Sequence, residues 1–327
     1  MNTKTIRYLA VAVIVLVAIL VTTELTDNGD SSSTGRLLFP ELKARINDIS
    51  TLAISDDDEA STTIQRTGDG WTVAERDGYP ADVGKIRQVL LAIADARTLE
   101  QKTANPDRYT DLGVADPGAD GAGRLLRITG DDFTYEVIIG NRAQTKYRYA
   151  RIAGEAQSWL VDADPELPDD AGGWLLTDIV DIDAARVRAV SIVHGDGETI
   201  SISKESEEDT DFVVSDVPDG RELSYATVAN GIGGAMNDLR LTDVARGEAA
   251  APAATTTFET FDGTMVTVTT EKTDDGSWIT LFAAGTDAES MNERLAGWRF
   301  RVADYKANLF SRRWEDILEA EPEPESE

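Results

Sequence analysis

The feature that most constrains the fold of this chain is an internal repeat. Residues 37–66 can be laid over residues 175–204 without a gap, and their apolar positions coincide although few residues are identical. The matched apolar residues include Leu52 with Val190, Ile54 with Ile192 and Ile64 with Ile202. A period of roughly 140 residues is far longer than the roughly 20–50 residues of a solenoid unit. The sequence therefore predicts a duplicated domain.

The pattern continues through the rest of each copy. Residues 83–93 in the first copy and 224–239 in the second carry apolar side chains at helical spacing, with Ser224 as a candidate N-cap. Alternating residues around a Gly-Asp or Asp-Gly turn predict a hairpin in each copy, at 124–140 and at 257–271. Further strands are predicted at 146–154, 157–163, 276–285 and 297–304.

These elements predict an α+β fold. We expect two tandem duplicated modules, each a largely antiparallel β-sheet with one main helix, behind an N-terminal transmembrane helix. The predicted organisation is a membrane anchor at 1–21, a flexible tether at 22–36, modules at 37–174 and 175–318, and a disordered acidic tail at 319–327. Clean alternation in "TIQRT", "TISIS" and "VTVTT" predicts one exposed and one covered face for each sheet.

The N-terminus predicts where the protein is located. Lys4 and Arg7 precede an unbroken apolar run, Tyr8–Val21, and no Lys or Arg follows until Arg36. This charge bias predicts a cytoplasmic N-terminus and a periplasmic or otherwise extracytoplasmic bulk. The run alone is shorter than a hydrocarbon core of about 30 Å, and flanking residues bring it close to a span. Since no A-x-A-like cleavage site follows, we expect a retained single-pass anchor, with a cleaved signal peptide as the alternative.

Charge and cysteine content narrow the functional classes. The chain has 60 Asp and Glu against 31 Lys and Arg, a formal net charge of -29. Such a field repels phosphate backbones, so we expect no nucleic-acid partner. The acidity is explained either by a solvated surface, as in a saline habitat, or by binding of cations or of a basic partner. The absence of cysteine excludes disulfides, thiol catalysis and Cys-ligated metals.

Few residues suggest catalysis. The lone His194 lies in a predicted turn and is interpreted as a solvated loop residue. The glycines of "NGIGGAM", residues 230–236, match no phosphate-loop pattern and are interpreted as allowing a close approach of a helix to the sheet. The acidic stretches 55–61, 162–170 and 273–277 do not match a calcium loop, so no metal site and no cofactor are expected.

Several motifs resemble those of one known family. They are "YPAD" followed by "LLAIADARTLEQKT", "Y-x-D-L-G-V" at 109–114, and the restart "GWLLTDIVDID". From about residue 37 to residue 318 the chain resembles the uncharacterised DUF 4340 family of bacterial membrane-anchored envelope proteins. Members are often encoded beside an ABC-type ATPase, a permease and an auxiliary protein similar to a gliding-motility transporter component. The resemblance implies a membrane-tethered accessory subunit of such a transporter and transfers no catalytic residue.

Two functional hypotheses follow. The first is a non-enzymatic binding or accessory protein, held in the lipid of the bacterial inner membrane by Tyr8–Val21, with the ABC permease, the ATPase and the gliding-motility-like protein as partners. The alternative is an envelope hydrolase that uses paired acids among Asp178, Asp181 and Asp183, at the junction of the two modules. We favour the first hypothesis, because aspartate is also a common cap and turn residue.

Overall fold

The computed structural model describes residues 35–56, 61–119 and 123–320. The predicted anchor Tyr8–Val21, nearly all of the predicted tether and most of the predicted tail lie outside these residues. No helix within the described ranges is both long enough and apolar enough to cross a membrane.

The described chain divides into two compact units. The first unit contains the described residues up to Arg66 together with Gly84–Leu167. The second unit contains Thr67–Val83 together with the described residues from Pro168 onward. A short segment of the first sequence copy is therefore part of the second unit. The domain limits 37–174 and 175–318 stay a prediction.

β-Strands form the framework of both units. In chain order the strands begin with β1 (Ile49–Ser55), β2 (Ser61–Thr67), β3 (Gly70–Val73), β4 (Tyr79–Pro80), β5 (Thr98–Gln101), β6 (Arg124–Gly130), β7 (Thr134–Gln144), β8 (Tyr147–Ile152) and β9 (Ser158–Val161). They continue with β10 (Asp178–Val180), β11 (Val187–His194), β12 (Thr199–Ser203), β13 (Val213–Ser215), β14 (Leu239–Arg246), β15 (Ala254–Thr260), β16 (Thr264–Thr273), β17 (Gly276–Gly285) and β18 (Trp298–Val302).

The helices are short by comparison. The α-helices are α1 (Val83–Asp95), α2 (Tyr109–Leu112), α3 (Asn230–Gly233), α4 (Ala288–Leu295), α5 (Asp304–Phe310) and α6 (Trp314–Ile317). Single 3-10 turns or short 3-10 helices occur at Leu42–Asp48, Ala74–Arg76, Pro106–Arg108 and Gly172–Trp174. The fold is therefore α+β with two largely antiparallel sheets, as predicted.

The two sheets repeat one strand order. Within the first unit the order is β2-β1-β6-β7-β8-β9-β5, and the second sheet contains the corresponding order β12-β11-β15-β16-β17-β18-β14. In the second sheet β13 adds to one edge and β10 to the other. The pairings along both orders are antiparallel. Strands β3 and β4 pair with each other within the Thr67–Val83 segment of the second unit.

The residue register repeats as well. Leu52 pairs with Ile64 in the first sheet, and the residues aligned with them, Val190 and Ile202, pair in the second. An irregularity of register, as at a β-bulge, occurs near the start of β1 and at the matched place in β11. Because a bulge shifts every later residue of a strand relative to its partner, a bulge at the same place in both copies preserves the same pairing. The strands therefore repeat at the level of single residue pairs.

Each sheet has an inner face that is buried beneath helices. In the first unit α1 buries an apolar stripe formed by Ile86, Val89, Leu90 and Ile93. In the second unit α5 packs across β15, β16 and β17. There the ring of Phe310 meets the ring of Phe258 edge-on, with 5.8 Å between the ring centroids. The opposite face of each sheet is called its outer face below.

The helix predicted over residues 224–239 is wrong in its length. Only Asn230–Gly233 is α-helical there, and turns precede and follow it. Glycine costs a helix about 1 kcal/mol relative to alanine, and this segment contains three glycines close together. One of them, Gly233, is required by packing, since a Cβ atom there would lie 2.2 Å from the ring of Phe212. The close approach shown at Gly233 is that of a single helical turn to the ring of Phe212, which immediately precedes β13.

Asp262 makes an acid-sensitive contribution to stability. Hydrogen bonds from the Thr260 hydroxyl, from Arg186 at 2.6 Å and from the Thr264 N–H hold the pKa of its carboxyl well below the usual range. The contribution is complete above the unfolded pKa of about 3.9 and is lost as the pH falls towards the lower folded value. We therefore expect Asp262→Asn to make the loss of stability between about pH 5 and pH 2 less steep, measured by urea unfolding at each pH.

Asp274→Asn is the matched control for this prediction. Asp274 is an exposed residue of the turn between β16 and β17. Its substitution removes a carboxylate of the same type but leaves the hydrogen bonds to Asp262 in place, so the acid loss of stability that depends on those bonds should persist. Equal slopes for Asp262→Asn and for the unaltered chain would contradict the role given to the Asp262 carboxylate.

Candidate functional site

Two of the three candidate catalytic aspartates contact residues 238–240, where β14 begins. Asp178, in β10, has its Oδ1 3.3 Å from Arg240 Nε. The Oδ1 of Asp181 accepts a hydrogen bond from the backbone N–H of Asp238 at 2.9 Å. Both aspartates are exposed to solvent. Their contacts join β10 and the chain after it to the start of β14.

The third aspartate, Asp183, accepts a hydrogen bond within its own turn. Its Oδ1 accepts the N–H of Ala185 at 2.8 Å, as expected of an aspartate in a turn. Of the three, Asp181 also borders a shallow cavity of about 230 Å³, which Arg186 and Arg294 line as well. Within the described ranges no group of His, Asp and Glu side chains could hold a metal ion. The structure thus gives each of these carboxylates a partner in a turn or between strands.

His194 is buried, and its interpretation as a solvated loop residue is wrong. It is the last residue of β11 and is only 4% exposed. Its Nε2 lies 3.0 Å from the carbonyl oxygen of Arg312. The chain that covers it is far away in the sequence, so the local turn pattern could not reveal the burial.

The turn that follows His194 holds the C-terminal segment through further contacts. Arg313 donates hydrogen bonds to Asp196 and to Glu198, both at 2.8 Å. The backbone N–H of Trp314 donates to Glu198 at 2.7 Å. This segment joins α5 to α6, so the turn fixes the part of the chain that covers the inner face of the second sheet. The only histidine therefore has a structural position.

The outer face of the first sheet is covered by residues 105–116, called the cap here. The cap begins where the Asn105 side chain accepts the N–H of Asp107 at 3.1 Å, with Pro106 at the first helical position. One helical turn, α2, follows, and Gly113 ends it at φ 65°, a conformation that favours glycine. The cap and the sheet share a small apolar cluster of Tyr109, Leu112, Val114, Ala115, Leu125, Ile138 and Tyr149.

Arg151, in β8, fastens the cap to the sheet. The residue is 3% exposed, and its guanidinium carbon lies 4.5 Å from the ring centroid of Tyr109. Its side chain donates to the carbonyl oxygens of Val114 at 2.9 Å and Glu155 at 3.0 Å, and to the carboxylate of Asp116 at 2.7 Å. The planar guanidinium thereby supplies one donor to a backbone carbonyl group of the cap and another to a carbonyl group in the chain after β8.

Gly140, in β7, allows the cap to lie directly on the strand. A Cβ atom at this position would lie 2.5 Å from the carbonyl oxygen of Leu112 and 2.9 Å from that of Gly113. Since both atoms belong to the backbone of the cap, any side chain at Gly140 would displace the cap.

The second sheet has a much shorter connection at the corresponding place. The cap lies between β5 and β6, in residues 102–123, whereas residues 247–253 join β14 to β15. The short loop is held by Glu271, which is 5% exposed. Its Oε1 accepts the N–H groups of Ala250 and Ala251, both at 3.1 Å. No described segment of this loop reaches across the outer face as the cap does.

The uncovered part of the second sheet forms a groove, called the outer-face groove here. Its volume is about 450 Å³. The walls come from the loop 247–252 and from residues 295–298. The floor is formed by the side chains of Thr267, Thr269, Thr280 and Phe282. Phe282 is 61% exposed, which is unusual for a large aromatic ring on a sheet face.

Strand pairing shows which residues of the first sheet occupy the positions that match the floor of the groove. In the first sheet Ile138 pairs with Arg151, beneath the cap. The matched pair in the second sheet is Thr269 with Thr280. Threonines therefore stand where the first sheet has an apolar residue of the cap cluster and the arginine that fastens the cap.

One row of residues across the outer face next to the groove is uncharged. A row of neighbours across the paired strands consists of Ser201, Ser191, Thr257, Thr267 and Phe282. In the first sheet an ion pair between Arg127 and Glu136 occupies the places of Thr257 and Thr267. The outer faces of the two sheets therefore differ in three ways: the cap covers only the first, and the residues at the matched positions differ in charge and in side-chain size.

Neither the cap nor the groove is among the features predicted from the sequence. Two signals were present. Asn105-Pro106, followed by apolar residues and then Gly113, is typical of a short capped helix. The unequal connections 102–123 and 247–253 indicate a covering segment in one copy alone.

Comparison with known proteins identifies the family. The chain matches the family described as "Domain of unknown function (DUF4340)" over residues 71–259. The matched range contains the cap and the junction aspartates, and it ends before the floor of the groove. Neither the curated proteins nor the solved structures contain a match. Because the matched residues make up more than half of the chain, the protein belongs to the DUF4340 family.

Proposed function

We propose that this protein is a non-enzymatic binding subunit that serves an ABC-type transport system at the bacterial inner membrane. Tyr8–Val21 is its single-pass anchor, with a cytoplasmic N-terminus and with both units on the periplasmic side. The partners are membrane lipid, the permease, the ATPase and a gliding-motility-like auxiliary protein. The charge bias around the apolar run and the family resemblance support this context.

The outer-face groove is the observation that carries the binding role. A sheet face that is covered by the cap in the first unit is open in the second, with Phe282 61% exposed beside threonine side chains. Exposed aromatic rings in grooves are typical of surfaces that bind a partner. Hydroxyl groups both donate and accept hydrogen bonds, so Thr267, Thr269 and Thr280 can contact an uncharged partner without a counter-charge.

Affinity purification of the full chain from solubilised membranes tests the proposal. With a tag at the C-terminus, we expect a permease and an ATPase to co-purify with the chain in comparable amounts. Recovery of a single, partner-free species under mild detergent conditions would contradict the proposed transport function.

The hydrolase hypothesis differs in what it predicts for Asp178, Asp181 and Asp183. Their contacts are those of turns and strand ends, and asparagine can keep part of the hydrogen bonding. We therefore expect the triple asparagine variant to retain its partners within about twofold of the unaltered chain, because exposed substitutions of this kind change stability by only about 0.5 kcal/mol each. Circular dichroism and the unfolding midpoint check the fold. A folded triple variant that fails completely to complement a deletion strain would favour the hydrolase.

A further inference from the structure

We infer that the outer-face groove binds one turn-forming polypeptide segment of a partner protein, lying on the second sheet as the cap lies on the first. The inference rests on the proposed binding function and adds the chemical class of what is bound. The duplication indicates what kind of molecule the groove binds. The corresponding position on the first sheet is covered by a turn of polypeptide, the cap.

The position of the groove supports this occupant. The cap arises from the connection between β5 and β6, and the outer-face groove opens beside the matched connection between β14 and β15. The Glu271 carboxylate holds the short loop through two backbone N–H groups. The floor residues Thr269 and Thr280 match two residues beneath the cap. A segment in the groove would therefore contact the sheet where the cap contacts its own.

The shape of the groove favours a polypeptide over a small molecule. Small-molecule sites are concave and bury most of the ligand surface. The floor here is a sheet face, and 61% of Phe282 is open to solvent. A helical turn with neighbouring extended residues can cover such a face, and its aromatic or aliphatic side chains can pack on the Phe282 ring, as Tyr109 and Leu112 pack in the cap cluster.

The floor of the groove is polar but uncharged. It therefore favours an uncharged segment whose backbone N–H and C=O groups face the floor. Thr267, Thr269 and Thr280 offer hydroxyl groups, which match both the free N–H and the free C=O groups of a turn. In the cap one such carbonyl oxygen, that of Val114, accepts a hydrogen bond from the charged donor Arg151. A strongly charged occupant would find no counter-charge on the threonine floor, so its desolvation would oppose binding. An acidic occupant would also be repelled by Glu248, which lines the groove from the loop 247–252.

Photo-crosslinking of the full chain in its native membranes tests the inference. The photoreactive residue p-benzoylphenylalanine replaces Phe282, an aromatic ring for an aromatic ring. The same residue in place of Tyr305 is the matched control, since Tyr305 is 67% exposed and lies on α5. We expect the Phe282 probe to form an adduct that peptide mass spectrometry maps to one contiguous segment of one protein, and the Tyr305 probe to form no such adduct.

A charge transplant supplies the second arm of the experiment. Thr257→Arg with Thr267→Glu copies the Arg127–Glu136 pair of the first sheet, so the sheet geometry accommodates it. The thermal midpoint checks that the variant folds. We expect this double substitution to reduce the Phe282 adduct about tenfold or more, as for a disrupted hot spot. An undiminished adduct would overturn the inference, as would an adduct to lipid or glycan, adducts spread over many proteins, or no adduct.

The outcomes also separate this inference from the proposed function. A single mapped segment in a protein that is not part of a transporter would support the groove and contradict the transport function. Co-purification of a permease and an ATPase without a segment-specific adduct would support the transport function and contradict the groove.

Discussion

The Arg151→Ala substitution should lower the free energy of unfolding of the first unit by about 3 kcal/mol. Arg151 is 3% exposed, and its removal leaves the buried carbonyl oxygen of Val114, in the cap, without its donor. The carbonyl oxygen of Glu155, an exposed residue after β8, loses its donor as well. Each buried acceptor that loses its hydrogen bond costs roughly 1–3 kcal/mol. The Asp116 side chain is 70% exposed, so it regains water and contributes little to the loss.

Urea unfolding combined with hydrogen exchange measures this effect. We expect the amides of the cap to exchange faster in Arg151→Ala before the rest of the first unit does, because the cap loses its attachment first. Arg127→Ala is the matched control on the same outer face. Arg127 is 52% exposed and pairs with Glu136, so its loss should cost less than about 1 kcal/mol. Equal costs for the two variants would show that Arg151 does not fasten the cap.

Much of the fold could be predicted from apolar periodicity. A strand that buries one face must place its apolar residues at every second position, so two copies of one sheet keep the same apolar frame while their polar residues diverge. The pairing of Leu52 with Ile64, and of Val190 with Ile202, follows the alignment residue by residue. The two predicted hairpins correspond to β6-β7 and β15-β16, whereas the pairing of β5 with β9 joins strands far apart in the sequence and does not follow from a local pattern.

Features that depend on distant segments could not be predicted in the same way. His194 follows a turn pattern, but it is buried by a chain segment more than a hundred positions later. Residues 224–239 have helical spacing, yet glycines and the ring of Phe212 limit the helix to one turn at Asn230–Gly233. In both places tertiary packing, absent from a local window, determined the outcome.

The candidate site was the least predictable part. The junction aspartates attracted a catalytic hypothesis because of their type and spacing, and such residues are equally suited to turns. The groove instead forms on the second sheet at the position that the cap covers on the first sheet. Thr269 and Thr280 become informative only when strand pairing matches them with Ile138 and Arg151.

The Phe310→Ala substitution should lower the free energy of unfolding of the second unit by about 3–5 kcal/mol. Phe310 is fully buried, and its ring packs edge-on against Phe258 at 5.8 Å. Its carbonyl oxygen accepts a hydrogen bond from the hydroxyl of Thr256, which is also fully buried. Because α5 covers the inner face here, removal of the ring leaves a cavity that the sheet cannot close. Urea unfolding and faster amide exchange in β15, β16 and β17 measure the loss.

Phe282→Ala makes the same substitution on the opposite face of the same sheet. Phe282 is 61% exposed, so we expect a change within about 0.5 kcal/mol. The deleted atoms are identical in the two variants, and only their burial differs. If Phe282→Ala lowered the free energy of unfolding by nearly as much as Phe310→Ala, the outer face would belong to a packed core. It would then not be free to bind a partner. A nearly neutral result would mean that folding does not account for a phenylalanine at this position, and that its ring is available to a partner in the groove.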